Sequence, residues 1–378
     1  MSSELFKKYD VQAPRYTSYP TVPYWSETPS WEQWIQALSS GLSADSSGWS
    51  LYMHIPFCET LCSFCGCNTV ITKAHKKEQP YVVRLLQEWQ IYRDQVAGLK
   101  SRPMRQLHLG GGTPTFLSAD NLKALLEPIL ESVNIADGYD GSIEVDPRRT
   151  NREQLQALYD LGFRRVSLGV QDFNFEVQRL INRIQTFEEN KSITEIAREI
   201  GFTSVNFDLI YGLPQQTPER MQKTLESTLE LRPDRIAFYS LAVVPWIKPA
   251  QRLFKIEDLP QGEDKYRLYE MGRELFLKAG YEDIGLDHFA LSDERLAVAR
   301  RNGELHRNFM GYTESRTDVL LGLGVSAISE APTCFHQNKK ELPVYEREID
   351  DGKVPTLRGH LLSDEDLKVR EQILQFMT

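Results

Sequence analysis

The sequence predicts an α/β fold built around a parallel β-sheet of six βα units. From about residue 50 onward, short apolar runs that end in Gly or Pro alternate with amphipathic stretches of helical spacing. A polar or glycine-rich segment follows each apolar run, as expected where parallel strands end at a shared cleft. The chain has 378 residues, of which 41% are hydrophobic, which is enough for one large α/β domain or two to three smaller ones.

The predicted strands and helices of this core follow one another in chain order. The six strands are Leu51–Ile55, Gln106–Leu109, Ser142–Val145, Arg165–Val170, Ser204–Ile210 and Arg235–Leu241. Apolar residues at spacings of three and four predict the helices Tyr81–Val96, Ala119–Ser132, Asn151–Leu161, Asn190–Ile200 and Pro218–Leu231. Ser118 is the candidate N-cap of the second of these helices.

Three regions flank the core, which we assign to residues 46–250. Residues 1–45 are rich in Tyr, Pro, Ser and Trp and predict an irregular arm with one helix, Trp31–Leu42. Residues 251–330 predict a helix near Asp264–Ala279 and strands at Tyr281–Leu286 and Val319–Ile328, which would extend this core and close the site. Residues 331–378 predict the start of a mainly helical extension, with a last helix near Asp364, that looks truncated at the end of the chain.

Charge and composition exclude several classes of protein. The 44 Lys and Arg residues against 53 Asp and Glu residues give a net charge of −9, which argues against a nucleic-acid-binding surface. The first residues carry charges where a signal peptide is apolar, and no segment reaches the roughly 18 apolar residues that span a bilayer. We therefore predict a cytoplasmic protein, in which clustered cysteines are metal ligands or redox groups rather than disulfides.

Four of the five cysteines lie within ten residues, with the spacing C-x3-C-x2-C-x-C at Cys58, Cys62, Cys65 and Cys67. A zinc site would need a distant second pair of ligands, for which only Cys334 and His336 are available. Three thiolates on one short loop suit three corners of a cubane iron–sulfur cluster. The fourth iron would then have no protein ligand and could bind a substrate or cofactor directly.

Further motifs connect this loop to a known family. The C-x3-C-x2-C loop after a first strand, with Phe64 before its third cysteine and GGGTP after the second strand, resembles the radical S-adenosylmethionine (SAM) superfamily. Within it, the chain resembles the oxygen-independent coproporphyrinogen III oxidase family through PRYTSYPT, YMHIPFC, CSFCGC, HLGGGTPT, EVDPR, GVQDF, INR, DLIYGLP, HRNFMGYT and GLGVSAIS, in this order between residues 14 and 329. The resemblance implies a partial (β/α)6 barrel of the TIM-like kind.

The resemblance also implies roles for individual residues. Cys58, Cys62 and Cys65 would bind a [4Fe-4S] cluster, and Cys67 would be a spare thiol beside it. Two SAM molecules are implied: the first would contact Tyr52, Gly111, Glu144 and Ile328, and the second would contact Phe64, Gly112, Thr113, Gln171, Arg183, Asp208 and Ala242. Tyr52, Glu144 and Arg183 are the catalytic candidates, since they would position SAM. The carboxylates could instead cap helices or pair with arginines, as strand-end carboxylates often do.

The implied reaction is the oxidative decarboxylation of two propionate side chains of coproporphyrinogen III to vinyl groups, giving protoporphyrinogen IX in haem biosynthesis. A flavodoxin- or ferredoxin-like protein would donate single electrons, and the chain would be a monomer that binds neither nucleic acid nor membrane. Candidate anchors for the substrate carboxylates are Arg15, Arg300, Arg301 and Arg307. Two alternatives remain, namely a haem-binding chaperone of the same superfamily and an incomplete SAM-binding domain without turnover.

Several other residues have simpler interpretations. His54 alternates with Tyr52 on a predicted buried strand and His108 is similarly placed, and we expect core or supporting roles rather than roles as a base. The basic run KAHKK (Lys73–Lys77) predicts a solvated loop, or a local positive charge that steers an acidic electron donor.

Overall fold

The computed structural model of the protein describes residues 19–25, 29–43 and 46–378. Arg15 and the beginning of the PRYTSYPT segment lie outside the described residues. Among the described helices, none has both the length and the apolar composition needed to cross a membrane.

Twelve strands of the described chain form one mixed sheet. In chain order they are β1 (Trp49–Ile55), β2 (Pro103–Gly111), β3 (Asn134–Val145), β4 (Phe163–Gln171), β5 (Ser204–Tyr211), β6 (Arg235–Ser240), β7 (Tyr281–Gly285), β8 (His288–Leu291), β9 (Val319–Leu323), β10 (Ile328–Ala331), β11 (Cys334–Asn338) and β12 (Thr356–Leu361). Two short ribbons stand apart from it, Phe57–Cys58 with Val70–Ile71 and His306–Asn308 with Gly311–Thr313.

The first six strands are those predicted from the sequence, and they lie side by side in the order β1-β2-β3-β4-β5-β6, each parallel to the next. β9 pairs in parallel with the free edge of β1. β10, β11 and β12 continue that edge in antiparallel fashion, and β8 and β7 extend the other edge beyond β6. The predicted α/β class and parallel core are confirmed.

The helices of the described chain cover the sheet. They are Trp31–Gly41, Glu78–Gln95, Gly98–Ser101, Ala119–Leu130, Arg152–Asp160, Phe175–Leu180, Phe187–Ile200, Pro218–Leu231, Gly262–Lys278, Arg295–Asn302, Leu342–Asp350 and Asp364–Met377. Short 3-10 turns occur at Val22–Tyr24, His75–Lys77, Pro114–Phe116, Pro249–Leu253 and Ile256–Asp258. Ser118 caps its helix as predicted, because its side chain accepts a hydrogen bond from the backbone N–H of Asn121 at 3.3 Å.

Alternation along the parallel strands separates the hydrophobic core from the functional cleft. On β1, for example, Leu51, Met53 and Ile55 are fully buried against the helices, while Tyr52 and His54 point to the opposite face. The same division recurs on the following strands, whose polar members line a cavity on the inner side. The period of two therefore places the apolar residues outside the barrel wall and the polar ones inside it.

The structure differs from the sequence prediction at two places in the last third of the chain. The strand expected at Val319–Ile328 is two antiparallel strands, because the backbone turns at Gly324 (φ +98°) and Ser326 (φ +63°). The region after residue 331, expected to be mainly helical, also contributes β11 and β12 to the sheet. β11 is wholly buried although three of its five residues, His336, Gln337 and Asn338, are polar, and two apolar residues are too few to give a periodic signal.

Candidate functional site

A cavity of about 840 Å³ opens at the carboxyl ends of the parallel strands. Its wall is made by the inward residues of β2 to β6 and by the loops that follow these strands, and its rim by the cysteine loop. Because the strands are parallel and in register, side chains separated by tens of residues meet here. Glu144 of β3, for example, is the register partner of Ser167 of β4.

The cysteine loop lies across one side of this cavity, and Cys58, Cys62, Cys65 and Cys67 all line it. Hydrogen bonds from Ser63 N–H to the Ile181 carbonyl at 3.0 Å and from Asn182 Nδ2 to the Leu61 carbonyl at 2.7 Å fix the loop from one side. On the other side, Lys248 Nζ donates to the Cys67 carbonyl at 2.8 Å. The INR motif identified in the sequence thus holds the loop in place.

The cysteine thiols occupy different electrostatic environments. Burial raises the pKa of the Cys58 thiol to about 11, and its contact with Thr113 Oγ1 at 3.4 Å offsets this only in part. A hydrogen bond from the Cys67 side chain lowers the pKa of Cys65 to about 6, to which the charges of Lys248 and Arg183 contribute. Arg183 Nη1 donates to Cys62 Sγ at 3.6 Å. The cationic side chains of Lys248 and Arg183 and the hydrogen-bonding groups of Thr113 and Cys67 therefore surround the thiols that are predicted to be cluster ligands.

The chemistry of these donors fits an iron–sulfur cluster. All four thiols are free, and the three of the C-x3-C-x2-C motif lie on one loop at one cavity. Within the described residues, no three Cys, His, Asp or Glu side chains are arranged as ligands of a single metal ion. In a cubane cluster each thiolate binds a different iron atom, so that the separated thiols of this loop suit such a group.

The glycine-rich segment after β2 packs tightly against the end of β1. Gly111 has φ +114°, and a Cβ there would lie 2.7 Å from the His54 ring. A Cβ on Gly112 would lie 2.6 Å from the Pro56 carbonyl oxygen, and Gly112 N–H donates to the Ile55 carbonyl at 2.8 Å. These two glycines are thus required by packing within the chain itself, in addition to the ligand approach that the sequence suggested.

Two carboxylates in the cavity wall have opposite pKa shifts. Burial acts to raise the pKa of Glu144, but hydrogen bonds from His108 Nε2 at 3.4 Å and from the Gly111 N–H at 3.3 Å bring it below its usual value. Burial and the charge of Glu144 raise the pKa of Asp208 to about 7, despite donors at Ser167 Oγ and Asn206 Nδ2, each 2.9 Å away. Glu144 is therefore ionised near neutral pH, while Asp208 titrates there.

Arg183 is fixed by contacts on three sides. Its guanidinium donates to the Gly169 carbonyl at 2.6 Å and to Asp146 Oδ2 at 3.3 Å, in addition to its contact with Cys62. Asp146 also accepts from Arg148 at 2.6 and 2.9 Å. Burial would raise the pKa of Asp146, but the charges of the two arginines lower it to about 2. The carboxylate thus orients both arginines beside the cysteine loop.

Nine of the eleven predicted cofactor-binding residues line this cavity. They are Phe64, Gly111, Gly112, Thr113, Glu144, Gln171, Arg183, Asp208 and Ala242. Tyr52 lies behind the wall, where its ring stacks on His108 at a centroid distance of 5.9 Å. Ile328 lies outside the cavity and packs against Trp25 and Phe335, because it begins a strand of the antiparallel edge.

The three candidate substrate anchors that lie within the described residues are not brought together. Arg300 and Arg301 are exposed, and Arg301 pairs with Glu282 and the Ser292 carbonyl. Arg307 is buried, with its guanidinium 4.6 Å above the ring of Tyr312, which lines the cavity. Charge alone did not reveal in which direction these side chains point.

Other residues of the site were missed from the sequence. Asp146, Arg148 and Tyr239 line the cavity but were not singled out. Asp146 and Arg148 belong to the EVDPR segment directly after a predicted strand, and this position was the available signal. Tyr239 alternates with the buried Phe238 on β6, so that period-two counting from the core residues would have found it.

Comparisons with known proteins agree with this geometry. Residues 52–228 match the Radical SAM superfamily. A Pseudomonas aeruginosa protein named oxygen-independent coproporphyrinogen III oxidase is 41% identical over 376 residues, which covers 99% of this chain and 81% of the relative. The Escherichia coli protein of the same name is 44% identical over 369 residues, covering 98% of this chain and 79% of the relative. A solved structure of coproporphyrinogen III oxidase from Escherichia coli, described as a radical SAM enzyme, matches with a TM-score of 0.92 at 43% identity, covering 99% of this chain and 83% of that one.

Proposed function

Because this chain belongs to the oxygen-independent coproporphyrinogen III oxidase family of the radical SAM superfamily, we propose that it converts coproporphyrinogen III to protoporphyrinogen IX. In each of two events, a propionate would lose one hydrogen atom from its β-carbon to the adenosyl part of SAM, which leaves as 5′-deoxyadenosine, and one electron to a one-electron acceptor; its carboxyl group leaves as carbon dioxide, and a vinyl group remains. The observation that carries this proposal is that three free thiols share one cavity with nine of the predicted cofactor-binding residues.

We propose that Cys58, Cys62 and Cys65 hold a [4Fe-4S] cluster and that the cavity beside them binds two SAM molecules. When bound, these groups supply the one-electron chemistry that starts hydrogen abstraction from the substrate. Cys67 is a fourth thiol on the same loop, and its contact with Cys65 shapes the loop without adding a ligand.

The side chains of the cavity wall position the cofactor. Glu144, ionised and facing the cavity, suits the amino group or the ribose hydroxyls of SAM. Arg183 suits a carboxylate, and its fixed guanidinium requires no reorientation on binding. Asp208 supplies a second acceptor once it is ionised.

The cellular setting is part of the same proposal. Substrate and product are handled in the cytoplasm, in agreement with five cysteines that are all free thiols. The chain works as a monomer and receives single electrons from a flavodoxin- or ferredoxin-like protein. The substrate carboxylates contact cations around the cavity, among which Arg307 lies behind Tyr312.

Anaerobic reconstitution with iron and sulfide, followed by a dithionite-driven reaction with SAM and coproporphyrinogen III, tests the proposal. We expect carbon dioxide, a vinyl-bearing product and 5′-deoxyadenosine, all of which should be absent with Cys62→Ser. If 5′-deoxyadenosine forms without product, the chain cleaves SAM but does not act on this substrate. Stable haem transfer without carbon dioxide would identify a haem chaperone, and the absence of both organic products would refute the catalytic proposal.

A further inference from the structure

We propose that the segment Ile71–Lys77, together with Leu61 of the cysteine loop, is the docking surface for a small acidic one-electron carrier protein. This inference rests on the proposed function, because only an enzyme with a redox group at the cysteine loop needs such a carrier. We call these residues the basic rim. It is argued from three independent properties: its attachment to the cysteine loop, its charge and its exposed apolar residues.

The basic rim is joined directly to the first cysteine of the loop. Ile71 pairs with Cys58 in a short parallel ribbon, and Thr72 N–H donates to the Cys58 carbonyl at 2.8 Å. Paired strands lie about 4.8 Å apart. A protein bound to the strand Val70–Ile71 is therefore separated from the backbone of Cys58 by a single strand.

The remainder of the segment is fixed by the ring of His75. This ring stacks on Phe116 at a centroid distance of 4.4 Å and contacts Glu78 at 2.7 Å and Glu59 at 3.4 Å. Glu59 also pairs with Arg149 at 3.2 Å. The His75 ring and Arg149 thus hold these two carboxylates, and neither carboxylate forms an ion pair with a lysine of the described segment.

The charge of the segment is opposite to that of the whole protein. Lys73, Lys76 and Lys77 are all exposed, and within the described part of the chain none of the three ammonium groups pairs with a carboxylate. The protein as a whole carries a net charge of −9 and repels an acidic partner at long range. A local group of three lysines beside the cysteine loop is what brings such a partner to this place rather than to another.

Two exposed apolar side chains belong to the basic rim, one within the lysine segment and one on the cysteine loop. Leu61 and Ile71 are each 44% exposed and line the rim of the cavity. An apolar centre with charged residues around it is the usual arrangement of a protein interface, where the charges guide the encounter and the apolar contacts stabilise it.

The test compares two ways of delivering electrons to the reconstituted enzyme. Dithionite reaches the enzyme without docking, whereas a reduced acidic flavodoxin must bind. In the triple variant Lys73→Glu/Lys76→Glu/Lys77→Glu, we expect flavodoxin-driven formation of 5′-deoxyadenosine to fall at least about tenfold at low ionic strength. Dithionite-driven formation should remain within about twofold of the unmodified protein.

A matched variant controls for net charge. Lys100, Lys123 and Lys223 are exposed lysines on helices of the described chain, and Lys100→Glu/Lys123→Glu/Lys223→Glu changes the net charge by the same amount. This control should leave the flavodoxin-driven rate near that of the unmodified protein. If both triple variants slow the reaction equally, the effect belongs to overall charge and the basic rim is refuted as the docking surface.

Other outcomes also decide the question. If the triple variant raises the KM for coproporphyrinogen III in the dithionite-driven reaction but leaves flavodoxin binding unchanged, the lysines serve the substrate and the inference is wrong. If the triple variant fails to assemble its cluster, the test is made instead on the unmodified protein, by measuring both rates at increasing salt concentration. The flavodoxin-driven rate must then fall with ionic strength while the dithionite-driven rate does not, and equal salt dependence refutes docking by charge.

Failure of the docking inference can be distinguished from failure of the proposed function. Calorimetric titration with flavodoxin measures binding even where no turnover occurs. Binding that Lys76→Glu weakens, in a protein without dithionite-driven activity, would retain the docking surface and reject the reaction. Full dithionite-driven activity without any flavodoxin binding would retain the proposed reaction and reject the docking surface.

Discussion

The pKa of Asp208 leads to a quantitative prediction for cofactor binding. Its carboxyl group lines the cavity, and burial together with the charge of Glu144 raises its pKa to about 7. A SAM molecule brings a positive sulfonium and an ammonium group, so that it binds the ionised carboxylate better than the neutral acid. Binding of SAM should therefore release a proton wherever Asp208 is protonated in the free enzyme.

The size of this effect follows from the fraction of Asp208 that is ionised. With a pKa of about 7, this fraction rises from about one tenth near pH 6 to about nine tenths near pH 8. If SAM binds only the ionised form, its affinity increases about tenfold over this interval. The release approaches about one proton per SAM near pH 6 and falls to about one tenth of a proton near pH 8. Asp208→Asn removes the titrating group, so its SAM affinity should be nearly independent of pH.

The assay is anaerobic calorimetric titration of SAM into the reconstituted protein, without reductant so that SAM is not cleaved. Measurements in two buffers with different enthalpies of ionisation give the number of protons released. Asp172→Asn is the matched control, because burial also raises the pKa of Asp172, to about 6, but this residue does not line the cavity. A pH dependence that is unchanged in Asp208→Asn, or abolished in Asp172→Asn, would refute the reasoning.

Three further predictions concern the cysteine loop and the buried charges. Cys62→Ser should abolish the visible spectrum of the reconstituted cluster while Cys67→Ser preserves it, and equal effects would contradict the ligand assignment. Burial raises the pKa of Glu88 from 4.5 to about 7, so this residue contributes stability at low pH that is lost as pH rises through about 7. Urea titrations at about pH 5 and pH 8 give the loss of unfolding free energy over this interval, and this loss should be about 2.5 kcal/mol larger in the unmodified protein than in Glu88→Gln. Equal losses in the two proteins would contradict the prediction. Asp146→Asn leaves the buried Arg183 without its carboxylate and should lower the free energy of unfolding by about 3 kcal/mol, measured by urea titration. An unfolding free energy equal to that of the unmodified protein would contradict this prediction.

Local pattern was sufficient for the parallel core. The predicted helix Pro218–Leu231 has the same bounds in the structure, because Thr217 caps it and Pro218 occupies its first turn. Ser204–Ile210 differs by one residue from the observed strand. These segments carry their own start and stop signals, so that no distant contact is needed to define them.

Long-range contacts explain most of what the sequence did not predict. β11 contains His336, Gln337 and Asn338, which are buried because Trp34 and the neighbouring strands cover them. Polar residues show no hydrophobic periodicity, so their burial could not be predicted from the sequence. The sequence alone could not show whether Arg301 is a substrate anchor or part of a structural ion pair, since only the fold places Glu282 beside it. Side-chain direction outside regular strands depends on such tertiary partners.

The two strand histidines show how far alternation constrains function. His54 Nδ1 contacts the Tyr52 hydroxyl at 3.0 Å and its Nε2 contacts the Asn68 carbonyl at 2.8 Å. His108 Nδ1 contacts Ser142 Oγ at 2.8 Å and its Nε2 contacts Glu144 at 3.4 Å. A general base needs a ring nitrogen that can reach the substrate, whereas both nitrogens of each ring are engaged within the chain. Burial also lowers the pKa of His54, which keeps that ring neutral.

These contacts give the histidines a structural part in the reaction. The Gly111 backbone packs on the His54 ring, and its N–H donates to Glu144, which His108 contacts as well. Movement of either ring would therefore displace the glycine segment or the Glu144 carboxylate that lines the cavity. In the proposed reaction the hydrogen leaves the propionate as an atom rather than as a proton, so that this chemistry would require rigid positioning of the surrounding groups more than a base.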